Sequence, residues 1–331
     1  MDLTLATLNE IWVGLELRYQ AAYQNAEPWS AKVATSVPSK TKITKMGWIG
    51  KIPRMRLWTG ERTLNNLAAR EYAITNQDFE LTIEIDRNDI IFDQLGLYIQ
   101  GVDLLGEQAK VWADDLVYGL MTYGDSSTPQ TLDTGAVINP EGFDGNPFFY
   151  GSHPIDINNT ALATQSNLFN STTSGDLPLN GANYGSTVRP AMAAYKGEDN
   201  RPMGIIPDTL AVPPALEVTA YTIANATLVA QAVGANAATG ASENVIPMLK
   251  GAVKPLMIPQ LAGADDTWYV LCTSKPVKPF AVTTVKAPEF VPLDKPTDPN
   301  VWERKKFRYG VDLIGSAGYS LWFLAAKAAN H

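Results

Sequence analysis

The chain has few of the residues on which disulfide bonding, metal binding and acid–base catalysis most often depend. Its 331 residues include one cysteine and two histidines. A single cysteine cannot form an intrachain disulfide, so a disulfide-stabilised scaffold is excluded. Cys272 lies in the apolar run "WYVLC", which is typical of a buried strand.

Signals for membrane insertion and secretion are also missing. No run of the sequence approaches the roughly 18 apolar residues that cross a membrane. The N-terminal stretch "MDLTLATLNEIWVGL" carries acids where a secretion signal carries basic residues. The sequence therefore predicts a protein with no membrane partner that stays in the cytoplasm where it is made.

Motifs that mark an enzyme are absent from the sequence. No "GxSxG" turn is present to pair a nucleophile with His153 of "YGSHP". The acids of "DRNDIIFD" lack the spacing and the glycine of a calcium loop, and helix capping explains them better. Neither "GxxxxGK[ST]" nor a strand-anchored "GxGxxG" offers a phosphate site. We therefore expect no enzyme, no catalytic or metal-binding residues and no cofactor, and we expect a structural role for His153.

Charge is distributed unevenly along the chain. The net charge of −8 argues against nonspecific nucleic-acid binding as the main activity, because that binding depends on clustered Lys and Arg. Between Val37 and Arg62, however, seven basic residues accompany one acid, so this stretch carries +6 and the remainder −14. The same stretch contains Trp48 and Trp58. We interpret it as a partner-binding surface, with a solvated basic loop as the alternative.

Hydrophobic periodicity predicts two helices and a strand early in the chain. Apolar residues recur at spacings of three and four from Leu5 to Tyr19, which predicts a helix that ends before "AEPWS". Alternation in "FELTIEI" predicts a half-buried strand, and residues 43–85 as a whole resemble a two-limbed extended excursion. A long helix is predicted from Asp93, its cap, to Gly124, whose left-handed conformation would end it.

The remainder mixes loops, short strands and short helices. Residues 125–184 predict ordered loop, and the small polar tract at 231–244 predicts a mobile one. Helices are predicted at "GSTVRPAMAAY" and "ALEVTAYTIA", and strands at "DTLAVPP", "KPLMIP", "TWYVLC" and "KPFAVTTV". The alternation from Phe307 to Leu313, the turn "GSAG" and the run "YSLWFLAA" predict a terminal hairpin. This mixture indicates the α+β class.

An ordered series of segments resembles a known family. In chain order these are "GWIGKIPRMRLWTGER", "NQDFELTIEIDRNDI", "DQLGLY", "DDLVYGLMTYG", "NPFFYGSHP", "RPMGIIPDTLAVPPALE" and "GVDLIGSAGYSLWFLA". Together they extend from about residue 5 to residue 328 and resemble the Mu-like phage major head subunit, or T protein, family of tailed-phage major capsid proteins. The sequence departs from the expected pattern at Ile91 and Phe92, where a more acidic run is expected.

The resemblance implies the major capsid fold of tailed phages, the Hong Kong 97-like fold. That fold has a peripheral domain around a long spine helix, an axial domain, and an N-terminal arm and extended loop that reach neighbouring subunits. We therefore expect the arm at 1–42, the extended loop at 43–85, the peripheral domain at 86–185 and 286–331, and the axial domain at 186–285.

The resemblance also implies a structural function. Many copies would assemble as hexamers and pentamers into an icosahedral head that encloses double-stranded DNA without sequence-specific binding. The implied location is the virion, after assembly in the bacterial host cytoplasm, and the implied partners include a portal and possible decoration proteins. Because the recognisable pattern begins within the first few residues, we also expect a separate scaffold protein.

In such a shell the basic stretch would contact neighbouring subunits through the extended loop. Arg54, Arg56 and Arg62 are the candidates for ion pairs, because a guanidinium can bind a carboxylate through two hydrogen bonds. Trp48 and Trp58 are the candidate energetic anchors, since aromatic residues dominate interface hot spots.

Other interpretations stay open at this point. One alternative is the shell protein of an encapsulin-like nanocompartment, which shares the fold but would need a cargo-docking groove. Another is an enzyme with an unrecognised site in residues 125–185, which would have a deep polar pocket. Some relatives of the fold crosslink a loop lysine to an asparagine. Lys51 is the candidate here, but the sequence locates no acidic catalyst, so crosslinking is not expected.

Overall fold

A computed structural model describes residues 5–47, 71–92, 96–157, 159, 161–170, 175–225, 229–232, 242–245, 250–295 and 298–329. The helices are α1 (Leu5–Asn25), α2 (Ser30–Val33), α3 (Arg87–Ile91), α4 (Gly96–Tyr123), α5 (Arg189–Ala193), α6 (Glu217–Asn225) and α7 (Pro299–Arg304). A short π-helix, Asn183–Val188, leads into α5. None of the helices in these ranges is both long enough and apolar enough to cross a membrane.

The strands of the described residues fall into two larger sheets and four two-stranded ones. They are β1 (Ala34–Pro38), β2 (Ile43–Gly47), β3 (Glu71–Thr75), β4 (Gln77–Asp86), β5 (Gln130–Thr131), β6 (Val137–Ile138), β7 (His153–Pro154), β8 (Thr164–Gln165), β9 (Leu168–Phe169), β10 (Thr209–Val212), β11 (Val229–Ala232), β12 (Ser242–Val245), β13 (Lys254–Met257), β14 (Thr267–Leu271), β15 (Phe280–Leu293), β16 (Lys306–Tyr319) and β17 (Ala325–Ala329). The mixture of helices and sheets confirms the α+β class.

The chain divides into two compact units. The first comprises Met1–Thr44, Ala73–Val117 and Val282–Gly318, and the second comprises Lys45–Tyr72, Tyr118–Ala281 and Tyr319–His331. Helix α4 contributes residues to both. These boundaries differ from those expected for the arm, extended loop, peripheral domain and axial domain, and that four-part division stays a prediction.

The first unit is built on a four-stranded sheet in the order β1-β15-β16-β4. Strands β4 and β16 pair in antiparallel register from Asp86 opposite Lys306 to Gln77 opposite Gly315. One hydrophobic core joins this sheet to α1 and α4; its buried members are Leu8, Leu15, Tyr19, Ile85, Ile90, Val102, Leu105, Ala109, Phe290, Val301, Phe307, Tyr309 and Val311. The predicted alternation is confirmed in β16, where Phe307, Tyr309 and Val311 enter this core, but in β4 only Ile83 and Ile85 do so, and Leu81 is exposed.

Helices α1 and α4 lie side by side in the first unit because Gly106 lets their backbones meet. A Cβ atom at Gly106 would lie 2.6 Å from the carbonyl oxygen of Tyr19 and 3.0 Å from Cβ of Ala22. Arg18 forms an ion pair with Asp103 one turn earlier. The contacts advance together along the two helices, so α1 and α4 run in parallel.

The second unit is built on a five-stranded sheet in the order β13-β10-β14-β17-β9. Its outer pairs, β13 with β10 and β17 with β9, are parallel, and its inner pairs are antiparallel. Every residue of β10, β14 and β17 is buried, which explains the apolar runs of β10 and β14, whereas β17 buries Lys327 within an alanine-rich sequence. Cys272 is buried and free directly after β14.

The C-terminal end of α4 differs from its prediction. Gly124 does not have the expected positive φ angle. A Cβ at this position would instead lie 2.7 Å from the Phe149 ring, so the glycine is required for close packing. The free carbonyls of the last turn accept hydrogen bonds from side chains: from Tyr319 at Leu120 (2.8 Å), from Tyr269 at Met121 (3.0 Å) and from Lys327 at Thr122 (2.9 Å).

The predicted terminal hairpin is wrong. Strand β16 continues through "GSAG" to Tyr319, and β17 pairs with β14 and β9 in the other sheet. A Cβ at Gly315 would lie 2.5 Å from the Thr283 carbonyl oxygen and 2.6 Å from the Trp112 ring. The small residues therefore serve to admit a helix side chain and a neighbouring strand, and they do not form a turn.

The other predicted elements are present. Helix α1 ends before "AEPWS", α4 ends at Tyr123, and α5, α6, β10, β13, β14 and β15 lie in the segments expected for them. Two predictions about local structure fall wholly or partly outside the described residues: the capping role of Asp93 and most of the polar tract at 231–244, of which residues 231–232 and 242–244 belong to β11 and β12.

Candidate assembly interface

All six predicted contact residues lie outside the described residues: Trp48, Lys51, Arg54, Arg56, Trp58 and Arg62. What the structure does describe is the pair of strands that flank them in the chain. Strands β2 and β3 form a two-stranded sheet of their own. The chain therefore leaves and re-enters the described region at adjacent positions, as a two-limbed excursion requires.

A buried asparagine fixes the chain next to these strands. The side-chain amide of Asn76 donates to the carbonyl oxygen of Thr41 (2.8 Å) and to Oγ1 of Thr44 (3.1 Å). Its Oδ1 accepts from Oγ1 of Thr283 (2.6 Å), and its backbone N–H donates to the carbonyl oxygen of Lys42 (2.9 Å). Each side-chain polar group of this buried residue thus has a partner, which fixes the segment before β2 to the start of β4 and to β15.

Sequence reasoning missed Asn76. A single asparagine between two strand patterns resembles any turn residue, because turns favour asparagine for local reasons. Its partner Thr283 is more than 200 positions away. Only the sheet order, which brings β15 near the segment before β2, makes the network visible.

The outer face of the four-stranded sheet, away from α1 and α4, carries an open groove. Its volume is about 710 Å³, and it is lined by Glu80, Thr82, Glu84, Val291, Pro292, Leu293, Arg308, Gly310, Val311 and Asp312. Val291 and Leu293 are each 45% exposed. The adjacent Phe290 lies on the opposite face of the same strand and is buried in the core. The groove therefore offers apolar side chains to solvent.

The groove is also acidic. Its lining includes three carboxylates, Glu80, Glu84 and Asp312, and one cation, Arg308, so its formal charge is −2. Arg308 donates from Nε to Glu84 (2.8 Å), and Lys286 at the margin donates to Asp312 (2.6 Å). These pairs are partly exposed and contribute little stability each. Their carboxylates stay available to a second cation from outside.

His153 lies in a buried polar cluster. Its ring stacks on Trp322 with centroids 4.3 Å apart, and the whole residue is buried. Nδ1 lies 2.7 Å from a carboxylate oxygen of Asp144, and Nε2 lies 3.1 Å from Oδ1 of Asn167. This packing gives His153 a structural role. Among the described residues, no group of three or more His, Cys, Asp or Glu side chains is placed to hold a metal.

We expect the Asp144 carboxylate to stabilise the folded state in a pH-dependent way. Burial would raise its pKa, but the hydrogen bond and charge of His153, with hydrogen bonds from Asn146, lower the pKa below its usual value of 3.8. A group whose pKa is lower in the folded state stabilises the fold above its unfolded pKa and loses that effect as pH falls through the folded pKa. We expect Asp144→Asn to cost about 1–3 kcal/mol at pH 7, because buried hydrogen-bonding groups lose their carboxylate partner, with a smaller cost below pH 4.

Urea unfolding of the isolated subunit between pH 3 and pH 7 measures this effect. The exposed Asp133 supplies the matched control, and Asp133→Asn should change the free energy of unfolding by less than about 0.5 kcal/mol at any pH. An Asp144→Asn cost that is the same at every pH would contradict the ionised state assigned to this carboxyl group.

A protein-family model tests whether the chain belongs to the family that the ordered segments resemble. The model for the Mu-like prophage major head subunit gpT matches residues 8–177, 171–249 and 254–331. The chain belongs to this family. The resemblance stated from the sequence is therefore confirmed, and it extends over nearly the whole length of this Mu-like head subunit.

Individual relatives agree with the family assignment. Over 155 residues the chain is 30% identical to the major capsid protein of Escherichia phage Mu, and this match spans 47% of the chain and about half, 47%, of that relative. Over 324 residues it is 22% identical to the Mu-like prophage FluMu major head subunit of Haemophilus influenzae (strain ATCC 51907 / DSM 11121 / KW20 / Rd), covering 98% of this chain and 73% of that one.

A solved structure supports the fold. A chain from the procapsid of bacteriophage JBD30 matches with a TM-score of 0.59 and 23% sequence identity, covering 99% of this Mu-like subunit and 77% of that chain. This likeness confirms the Hong Kong 97-like capsid fold that the sequence predicted.

Proposed function

We propose that this Mu-like subunit is the major protein of a phage head, and that its copies assemble as hexamers and pentamers into an icosahedral shell around double-stranded DNA. The observation that carries the proposal is the family match over nearly the whole chain, together with the capsid fold. The work of such a protein is done by its surfaces, so it needs no catalytic residue, metal or cofactor. Its place is the virion, after assembly in the host cytoplasm.

The extended loop and the outer-face groove form a complementary pair in this proposal. The stretch between Val37 and Arg62 carries +6, and the groove on the sheet carries −2. Arg54, Arg56 and Arg62 of one copy would bind groove carboxylates of the next, while Trp48 and Trp58 would cover the exposed Val291 and Leu293. The network around Asn76 supports this role, since a loop held firmly at its base loses less entropy on binding.

Summed weak contacts suffice to hold such a shell. Each exposed ion pair contributes about 0 to 1 kcal/mol, so the arginines mainly select partner and register. Buried aromatic anchors supply more, commonly about 2 kcal/mol or above. Because each subunit binds several neighbours, the free energies of these modest contacts add up over the closed lattice.

An acidic subunit is compatible with a DNA container. The net charge of −8 would weaken direct phosphate binding, yet packaged DNA carries its own counterions and needs enclosure more than a tight ligand. The DNA is therefore held without sequence specificity. The other expected partners besides the subunit itself are a separate scaffold protein, a portal and decoration proteins. A nanocompartment shell shares the fold, but the family match to phage head subunits favours the head.

The native mass of the assembly tests the proposal. Coexpression with the proposed scaffold and portal proteins should give hexamers, pentamers and closed particles, all built from the 35.9 kDa chain. Mass photometry and electron microscopy would detect them. A species that stays at the monomer mass under all such conditions would contradict a shell function, and uniform closed shells from the subunit alone would contradict the separate scaffold.

A further inference from the structure

Two aromatic side chains project into solvent at one end of the four-stranded sheet. Trp302 in α7 is 82% exposed, the highest value among the large hydrophobic residues in the described part of the chain, and Phe92 after α3 is 71% exposed. Strand β4 runs directly into α3, α7 runs directly into β16, and Asp86 pairs with Lys306 where they meet. We name Phe92, Trp302 and helices α3 and α7 the aromatic corner.

The corner is held in place by specific contacts. Asn300, which is buried, donates from Nδ2 to the carbonyl oxygens of Leu293 (2.9 Å) and Lys306 (2.7 Å). Val301 is buried in the core on the inner side of α7. Lys305 adopts a left-handed conformation (φ 55°) that ends the helix, and its carbonyl oxygen accepts from the backbone N–H of Arg87 (2.9 Å). The fold thus presents Trp302 outward from a fixed frame.

An exposed tryptophan on a fixed backbone is suited to binding a protein surface. Isolated exposed apolar residues are common and need no explanation, but two large aromatics on a rigid corner match the anchors that dominate interfaces. The fixed backbone of α7 adds to this, because less backbone freedom is lost on binding. The question is which partner fits.

The net charge around the aromatic corner indicates which class of partner it suits. Residues 86–92 and 298–306 carry four acids and four basic residues, so the corner is neutral with mixed signs. Nucleic acid would favour a basic surface, and the +6 loop would favour an acidic one. A rim with equal numbers of acids and bases allows the acids of one copy to face the basic residues of another, so an aromatic centre with such a rim is suited to a second copy of the same corner.

Symmetry gives this self-contact a place in the shell. A loop that binds a groove joins unlike surfaces, and repetition of such a contact closes a ring of subunits. Joining rings into a shell requires at least one further contact between copies in different rings. We propose that the aromatic corner makes that contact, with the corners of copies in neighbouring rings meeting through Trp302 and Phe92. This inference rests on the shell function proposed above.

Variants at Trp302 test the proposal in the coexpressed head assembly. We expect Trp302→Glu to leave hexamers and pentamers intact by mass photometry while reducing closed particles at least about tenfold, since a central hot spot is lost. Trp302→Phe, which keeps an aromatic ring, should retain particles near the wild-type yield. Normal shells from Trp302→Glu would overturn the proposal. If those shells lacked another head protein, the aromatic corner would bind that protein and not a second copy of this chain, which also overturns it.

Thiol labelling supplies a readout that keeps Trp302 in place. The only cysteine is buried, so Glu303→Cys introduces a single accessible thiol beside the tryptophan. Maleimide should label it rapidly in isolated rings and at least about tenfold more slowly in closed particles. Equal labelling in the two states would overturn the proposal, and so would a folded Trp302→Glu subunit that forms no rings.

The two proposals fail in distinguishable ways. If the wild-type chain forms neither rings nor shells, the shell function itself fails. If the wild type forms shells whose corner thiol stays fully reactive, the shell function stands and only the role of the aromatic corner fails.

Discussion

A subunit that carries both Trp58→Ala and Arg56→Glu is expected to fold, remain soluble and fail to form shells. The reason is that both side chains are assigned to a loop whose burial comes from another copy of the protein. Removing a tryptophan anchor costs about 2–4 kcal/mol at a typical hot spot. Reversing the charge at Arg56 replaces an attraction to the acidic groove with a repulsion.

The expected size of this defect follows from affinity arithmetic. Each 1.4 kcal/mol lost per contact changes its equilibrium constant tenfold, so the double variant should raise the concentration needed for assembly by about two to three orders of magnitude. Electron microscopy of particles and circular dichroism of the subunit measure the two halves of the prediction. The thermal unfolding midpoint of the isolated subunit should change little.

Single variants separate the two contributions. The assembly defect of Arg56→Glu should shrink as salt rises, because ions screen exposed charges, whereas that of Trp58→Ala should not. Lys275→Glu is a matched control: it makes the same charge reversal at a partly exposed position outside the basic stretch. Its effect should be small. Normal particles from the double variant would show that the basic stretch is not an assembly contact.

The elements that the sequence predicted well are those with one dominant period. In α1 and the first half of α4 the buried residues recur at helical spacing and enter one core, and in the second half of β4 the alternation of Ile83 and Ile85 reports which side chains face that core. Strands β10 and β14 are buried throughout, and their short apolar runs were sufficient to locate them, whereas β17, which buries Lys327, was not located as a strand of this sheet.

The misses arise where a residue type serves long-range packing. Gly124 and Gly315 resemble turn glycines in the sequence, but each provides space for an aromatic ring, Phe149 or Trp112, that only the tertiary fold brings near. The C-terminal end of α4 is stabilised by donors from Tyr269, Tyr319 and Lys327, all far along the chain. Local pattern carries no information about such partners.

The candidate interface likewise has one part that the sequence predicted and parts that only the tertiary fold shows. Composition alone was enough to single out the basic, tryptophan-containing stretch, whose residues from Trp48 to Arg62 lie outside the described part of the chain and stay predictions. The groove and the aromatic corner depend on which face of a strand or helix is left uncovered. Trp302 has the same sequence signature as a core tryptophan, and only its 82% exposure separates the two.

Gly106→Ala is expected to destabilise the subunit by about 1–3 kcal/mol, although alanine is the better helix former. In an exposed helix interior, replacing glycine by alanine gains about 0.5–1 kcal/mol. At Gly106 the new methyl group would lie 2.6 Å from the Tyr19 carbonyl oxygen, an atom of the α1 backbone that cannot rotate away. The clash must therefore push α1 from α4, which loosens the core that both helices share with the sheet.

Gly101 supplies the matched control because it lies on the same helix with open space around it. A Cβ at Gly101 meets no atom within 4 Å, so Gly101→Ala should stabilise the subunit by about 0.5–1 kcal/mol. Urea unfolding of the two variants and the wild type measures both effects on one scale. Opposite signs at two glycines five residues apart would establish that helix contact, and not helix propensity, controls position 106. Equal stabilisation at both positions would instead mean that α1 does not approach α4 as closely as the structure places it.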